Sequence, residues 1–274
     1  MTTIDTADRT ASAIARDLTR PASTNSRENP VNPVPFRRLL IVEIRKLVDT
    51  RAGRWLLGIC ALATAATVWG SIVWIPDLTP MALFGLAVTP AALLVPVVAI
   101  LSATAEWSQR TGLVTFALEP RRHRVVAAKL VVSVLAGVIA SAACLVLAMG
   151  GLGVAAALGD SAGTWALDGA EIAGVTFVLV LTMLQASAFG FALLNSPAAI
   201  VLFFVLPTLM TTLSMLSTWF AERAAWLDLG AAGMPFLNGT ASGADWTHLA
   251  SAAALWIALP LLIGLVRIAR SDLK

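Results

Sequence analysis

Two histidines, two cysteines and 16 carboxylates are the groups with which this 274-residue chain could do acid–base, nucleophilic or metal chemistry. His123 and His248 fall near opposite ends of predicted membrane spans, so they cannot share a metal ion or a catalytic triad. Cys60 and Cys144 lie in apolar runs and are expected near opposite membrane faces, which argues against a disulfide and for two small buried hydrophobes. No Gly-rich loop ending in lysine is present to cradle phosphate, so any ATP must be hydrolysed on another chain. Proteolysis within a membrane would need a Ser/His or paired-Asp set at depth. The long apolar runs hold no Asp, and their only histidine, His248, sits at a rim.

What remains is charge at unusual positions. In FRRLLIVEIRKLVD, residues 36–49, the side chains of Phe36, Leu40, Ile44, Leu47 and Val48 share one helical face, and Arg38, Arg45 and Asp49 the opposite one. That pattern predicts an amphipathic helix lying in the membrane interface. Glu43 interrupts its apolar face. An ion pair with Lys46, three residues on, accounts for it, and a contact with a cytoplasmic loop or partner subunit is the functional alternative. The second site of charge is EWSQRTGLVTFALEPRRHRVVAAK, Glu106 to Lys129. Its first part, Glu106–Leu118, is expected to form a short amphipathic helix with Trp107, Val114 and Leu118 on one side, ended by Pro120. Arg121, Arg122, His123 and Arg124 follow as a cationic block, read either as topological retention with anionic lipid contact or as a docking surface. Nucleic-acid binding is set aside because no basic fold surrounds the block.

The elements that must position these charges follow from composition. The chain is 58% hydrophobic and 13% charged, with a mean hydropathy of +0.83, whereas soluble domains carry about 25% charged residues. This is the composition of an integral membrane protein. About 20 apolar residues cross the roughly 30 Å of hydrocarbon, and six stretches qualify, near 55–75, 81–103, 130–149, 172–194, 198–217 and 246–266. The fold class expected is all-α, a polytopic bundle of six transmembrane helices. None of the six stretches contains Asp, Glu, Lys or Arg. A carboxylate at the bilayer centre usually marks an ion or proton relay, so movement driven from outside the chain is favoured over ion coupling. Backbone carbonyls can still bind sodium.

Cationic residues are retained on the cytoplasmic side. With both termini cytoplasmic, only Arg223 among the lysines and arginines falls outside, and Trp55 and Trp107 mark the inner interface, Trp74, Trp165, Trp219 and Trp246 the outer one. Residues 1–33 read as a disordered cytoplasmic tail, followed by one transmembrane domain over 34–274. No signal peptide is expected, the first long apolar run beginning at Trp55, and Arg37-Arg38 is not followed by the apolar region of a twin-arginine signal. The location expected is the plasma membrane.

The charged segments resemble those of the permease subunits of type-2 ATP-binding-cassette transporters. The matching residues are VEIRKL at 42–47, Glu106 after span two, Thr111-Gly112, the apolar turn Leu113–Leu118, Pro120-Arg121-Arg122, and Ala128-Lys129 before span three. The resemblance extends to the six-span layout and the long outer segment before the last span, and so to most of residues 36–270. The pair runs Thr111-Gly112 here, where the family often has Gly-Thr. The resemblance implies a coupling loop, 104–129, that docks into a cleft of a separate ATPase subunit. Glu106, Trp107, Arg110, Thr111, Gly112, Phe116, Arg121 and Arg122 are its candidate coupling residues, with Glu43, Arg45 and Lys46 on the interfacial helix. It further implies an exporter made of two permease subunits and two ATPases, with ATP and Mg bound by the ATPases and no cofactor in this chain. A stand-alone ion-coupled carrier or membrane assembly factor is the alternative.

Other features have structural readings. Ser133, Gly137 and Ser141 recur every fourth residue, as do Ala136, Ala140 and Cys144, which permits close helix contact within a subunit or, second, across a dimer. Pro90, Pro96, Pro207 and Pro260 are expected to kink their helices. Gln185 and Asn195 could line a path or make interhelical hydrogen bonds. Residues 217–245 are expected to form short helices re-entering the outer leaflet, with Asn238-Gly239-Thr240 as a turn.

Overall fold

The computed structural model describes residues 35–75, 78–108, 121–158 and 165–270, and these are helical with no strand among them. The expected tail therefore lies outside the described residues. Helix α1 spans Phe36–Asp49 and α2 Arg51–Trp74. Helices α3 (Pro80–Ser108), α4 (Arg122–Ala157), α5 (Gly169–Leu193) and α6 (Ser196–Leu216) follow. Two short helices, α7 (Thr218–Leu227) and α8 (Leu229–Leu237), precede α9 (Gly243–Ala253), which runs through a π-helical turn at Ala254–Ala258 into α10 (Leu259–Arg270). Among the described residues, six helices are long and apolar enough to cross a membrane: α2, α3, α4, α5, α6 and the continuous α9–α10.

The helices start and stop where side chains satisfy free backbone groups. Thr50 caps α2 by accepting from Gly53 N at 3.1 Å. Asp168 caps α5 through Ala170 N at 2.8 Å, and Asn195 caps α6 through Ala198 N at 3.0 Å. Asn195 is thus a capping residue. The α5–α6 connection is a tight hairpin: Leu194 takes the left-handed conformation, φ 52°, and Asn195 already caps the next helix. Several spans extend beyond the apolar stretches that signalled them. Helix α4 is longest, at 36 residues, or about 54 Å, because a helix continues through charged flanks that an apolar window excludes.

Helices α3 and α5 form the centre and supply nearly half of the buried core, including Leu83, Phe84, Ile100, Met183, Phe189 and Phe191. The small-residue stripe of α4 packs within the chain. Ser133 and Ser187 hydroxyls lie 2.8 Å apart, Ser141 and Thr176 likewise 2.8 Å apart, and between them Gly137 faces Val180 and Met183. On α5, Gly174 lies against the Phe236 carbonyl, where any Cβ would overlap it, and on α10 Gly264 fits against Phe191. The expected short helices of 217–245 are α7 and α8. Their ends are fastened to the last span by Ser251 Oγ donating to Trp226 O and Trp256 Nε1 donating to Leu227 O, each at 2.6 Å. Gly239, with φ +63°, makes the turn expected at Asn238-Gly239-Thr240.

Prolines Pro90, Pro96 and Pro207 sit inside α3 and α6 without ending them. Pro260 stands two residues after the π-helical turn. It supplies no N–H to the preceding turn, and a wider turn is one way a helix accommodates that loss.

Cys60 and Cys144 were expected near opposite faces, and this is corrected. Both are buried free thiols in one core cluster and line one cavity. The reason is the length of α4: its residues' depths do not follow from where the apolar stretch begins.

Candidate functional site

The charged residues singled out from the sequence converge at one end of the bundle. This end is made by α1, the last turns of α3, α5 and α10, and the first turns of α4. Arg122, at the start of α4, donates to the Ile268 carbonyl near the end of α10, and Arg267 on α10 donates to the Ala192 carbonyl near the end of α5. Cationic side chains near helix C-termini are favoured by the carbonyls left free there. Trp107 and Leu130 pack against the small cluster of Ala103, Val125, Val126, Phe191 and Ile268 just inside these contacts.

At the centre of this end, two carboxylates and two ammonium groups form a closed set. Glu43 of α1 reaches Lys46 on its own helix at 2.7 Å and Lys129 of α4 at 2.7 Å, one oxygen to each. Glu106, in the last turn of α3, uses Oε1 for both Lys46 and Lys129, at 3.0 Å each. Lys129 also donates to the Ser102 carbonyl at 2.7 Å. Its three N–H groups are thereby occupied. The side chains of Glu43, Glu106 and Lys129 are 4%, 2% and 3% exposed, while Lys46 is 36% exposed.

Sequence and packing explain why these residues meet. Glu43 is the single buried residue of α1, and Ile41, Val42, Ile44 and Val48 are exposed around it. The helix therefore turns its carboxylate toward the protein and much of its apolar surface away. The sharp join to α2 fixes that rotation, for at Gly53 a Cβ would overlap the Leu47 carbonyl. Burial alone would lower the affinity of Lys46 for its proton, but the charges of Glu106 and Glu43 outweigh it, and Lys46 is held above its ordinary value.

Taking such charges out of water costs several kcal/mol per ion, so the set contributes little net stability compared with apolar packing. Its effect is on register. Removing one member would leave a buried charge uncompensated, so α1, α3 and α4 are held in one relative position. Glu106 Oε2 is buried without a hydrogen-bond partner among the described residues.

The residues expected to act together divide clearly. Glu43, Lys46 and Glu106 are brought together, and Trp107 lies one residue beyond. Arg121 is exposed ahead of α4 and Arg122 is half-buried as its first residue, so the cationic block begins the helix rather than standing in a loop. Arg45 is exposed. Arg110, Thr111, Gly112 and Phe116 lie outside the described residues, as does most of the short helix expected over Glu106–Leu118; Glu106 to Ser108 continue α3. Lys129 is the member that sequence reasoning did not place in the site. The signal was present in two carboxylates, Glu43 and Glu106, beside apolar runs, for which a buried lysine is the natural counter-charge.

Gln185, on α5, lines a smaller cavity of about 130 Å³ with Thr182, Pro207, Asp228 and Trp256. Among the described residues, no group of three or more His, Cys, Asp or Glu side chains is arranged to hold a metal ion. Compared with models of protein families, with curated proteins and with solved structures, the chain matches none.

Proposed function

We propose that this multi-pass membrane protein is the permease subunit of an ATP-driven exporter of the type-2 ATP-binding-cassette kind. It would form the translocation pathway with a second permease, of the same or a related chain, and be driven by separate ATPase subunits that bind ATP and Mg. The observation that carries the reading is the ion set at the roots of segment 109–120. Glu106 stands three residues before that segment and Lys129 nine residues after it, and both are bonded to α1. A push on the segment is therefore delivered to α1, α3 and α4 together rather than lost in a flexible hinge.

The reading assigns different roles to the residues. Arg110, Thr111, Gly112, Phe116 and the exposed Arg121 meet the ATPase. Glu106, Glu43 and Lys46 are positioning residues, since buried carboxylates act through their lysines and not by presenting themselves to a partner. The cationic end of the bundle faces the cytoplasm of a cell whose plasma membrane holds the protein, and α1 lies along the interface with its apolar residues in lipid.

The test is co-purification with an ATPase encoded beside this chain, followed by ATP hydrolysis and transport in proteoliposomes. Arg110→Ala is expected to weaken ATPase association while the permease remains folded. Glu106→Gln is expected to leave association intact and uncouple hydrolysis from transport. Transport by the purified chain alone, without ATPase or ATP, would overturn the proposal in favour of a stand-alone carrier.

A further inference from the structure

A cavity of about 330 Å³ opens beside the ion set, among α1, α2, α3 and α4. That volume is at the lower end of the roughly 300–1,000 Å³ typical of ligand pockets. Its lining is almost wholly apolar: Ile44, Leu47 and Val48 from α1, Leu57 from α2, and Ile139 and Ala140 from α4 are representative. Leu57 and Ile139 are also exposed at the outer surface of the bundle, so the cavity is reached from the side, where the chain meets hydrocarbon.

Two arginines of α2 precede the lining residue Leu57 without lining the cavity themselves. Arg54 stands one helical turn before Leu57 on α2, and Arg51 one turn earlier still. Residues three apart on a helix lie on neighbouring parts of one face. Both arginines are exposed, and no carboxylate pairs with either among the described residues. They occupy the first turn of a span, the level at which lipid headgroups lie, and basic pockets at that level recognise anionic headgroups.

From this juxtaposition we infer a binding site for one anionic phospholipid of the leaflet that holds α1. An acyl chain fills the cavity, and the phosphate lies on Arg51 and Arg54. Charge selects this occupant over a zwitterionic lipid, and the lateral opening admits a chain without dehydrating a charged group inside the bundle. The site also adjoins the ion set, because Ile44 follows Glu43 and Ser133 lies one turn beyond Lys129. Occupancy thus supports the position of α1. The inference rests on the membrane-spanning fold and not on the transporter reading.

The full chain, reconstituted in phosphatidylcholine nanodiscs, is exposed to phosphatidylglycerol or phosphatidylcholine carrying a photoactivatable group on one acyl chain, and the labelled peptides are mapped. Phosphatidylglycerol is expected to label α1, α2 and α4 at least about fivefold more than phosphatidylcholine, the selectivity a single surface cation gives. Arg51→Gln with Arg54→Gln should bring the two lipids level without touching the core. Ala140→Phe, which fills the cavity, should reduce labelling there by either lipid. Equal labelling by the two lipids in the unchanged protein, label spread evenly over α6 and α10, or selectivity that survives loss of both arginines would each overturn the inference.

Discussion

Lys129 directs its three N–H groups into the protein, two to carboxylates and one to the Ser102 carbonyl. Replacing it with methionine leaves Glu43 and Glu106 to share Lys46, which is half in water. Breaking a buried pair in this way typically costs about 3–5 kcal/mol, and Lys129→Met is expected to lower stability by that order in detergent unfolding experiments. Glu43→Gln should be destabilising alone and much less so in the Lys129→Met background, with a coupling of about 0.5–3 kcal/mol. Strict additivity of the two substitutions would show that the charges do not act as a set. Glu43 was conspicuous in the sequence because it breaks an apolar face, and its pairing with Lys46 could be read from spacing alone. Its bond to Lys129 could not, since 86 residues separate them. Only the rotation of α1, set where Gly53 passes the Leu47 carbonyl, determines which distant cation a buried carboxylate meets.

The spans were legible as elements because each is a long charge-free run, and the short helices α7 and α8 because residues 217–245 are apolar yet too long for a turn. Lengths were less legible. Helix α4 begins at Arg122 and the last span carries a π-helical turn, features decided by helix continuation and by Pro260 rather than by hydropathy. That last span is what holds α7 and α8, through Trp256 Nε1 and the Leu227 carbonyl at their junction. Trp256→Phe keeps most of the ring volume and removes this bond. A lost hydrogen bond of this kind costs about 0.5–1.5 kcal/mol, too little to unfold the chain but enough to raise local opening about 2- to 13-fold. Hydrogen–deuterium exchange is expected to quicken across Thr218–Leu237 while α3 and α5 remain protected. Unchanged exchange in α7 and α8 would mean that Gly174 packing against Phe236 holds them without help.

For the whole molecule, the decisive property is the separation of charge between the two ends of the bundle. Arg45, Lys46, Arg51, Arg54, Arg122, Arg124, Lys129, Arg267 and Arg270 belong to elements gathered at one end, through the contacts of Glu43, Glu106, Arg122 and Arg267. Asp168, Glu171, Glu222, Asp228 and Asp245 belong to helix starts and short helices at the other. The sequence alone predicts this division from the placement of its lysines and arginines, and six spans return the chain to its starting side. Retention of cations on the cytoplasmic side then predicts the orientation, cationic end inward. Single cysteines at Asp49 and Ala241, both exposed positions, report it against the buried Cys60 and Cys144. In intact cells a membrane-impermeant maleimide is expected to label Ala241→Cys, whereas Asp49→Cys should label only after permeabilisation. The reverse pattern would put the ion set and segment 109–120 outside the cell, away from any ATP, and would remove the transporter proposal while leaving the lipid site intact in the opposite leaflet. Labelling therefore separates the two inferences: one depends on which side the cationic end faces, and the other only on its lying at a bilayer surface.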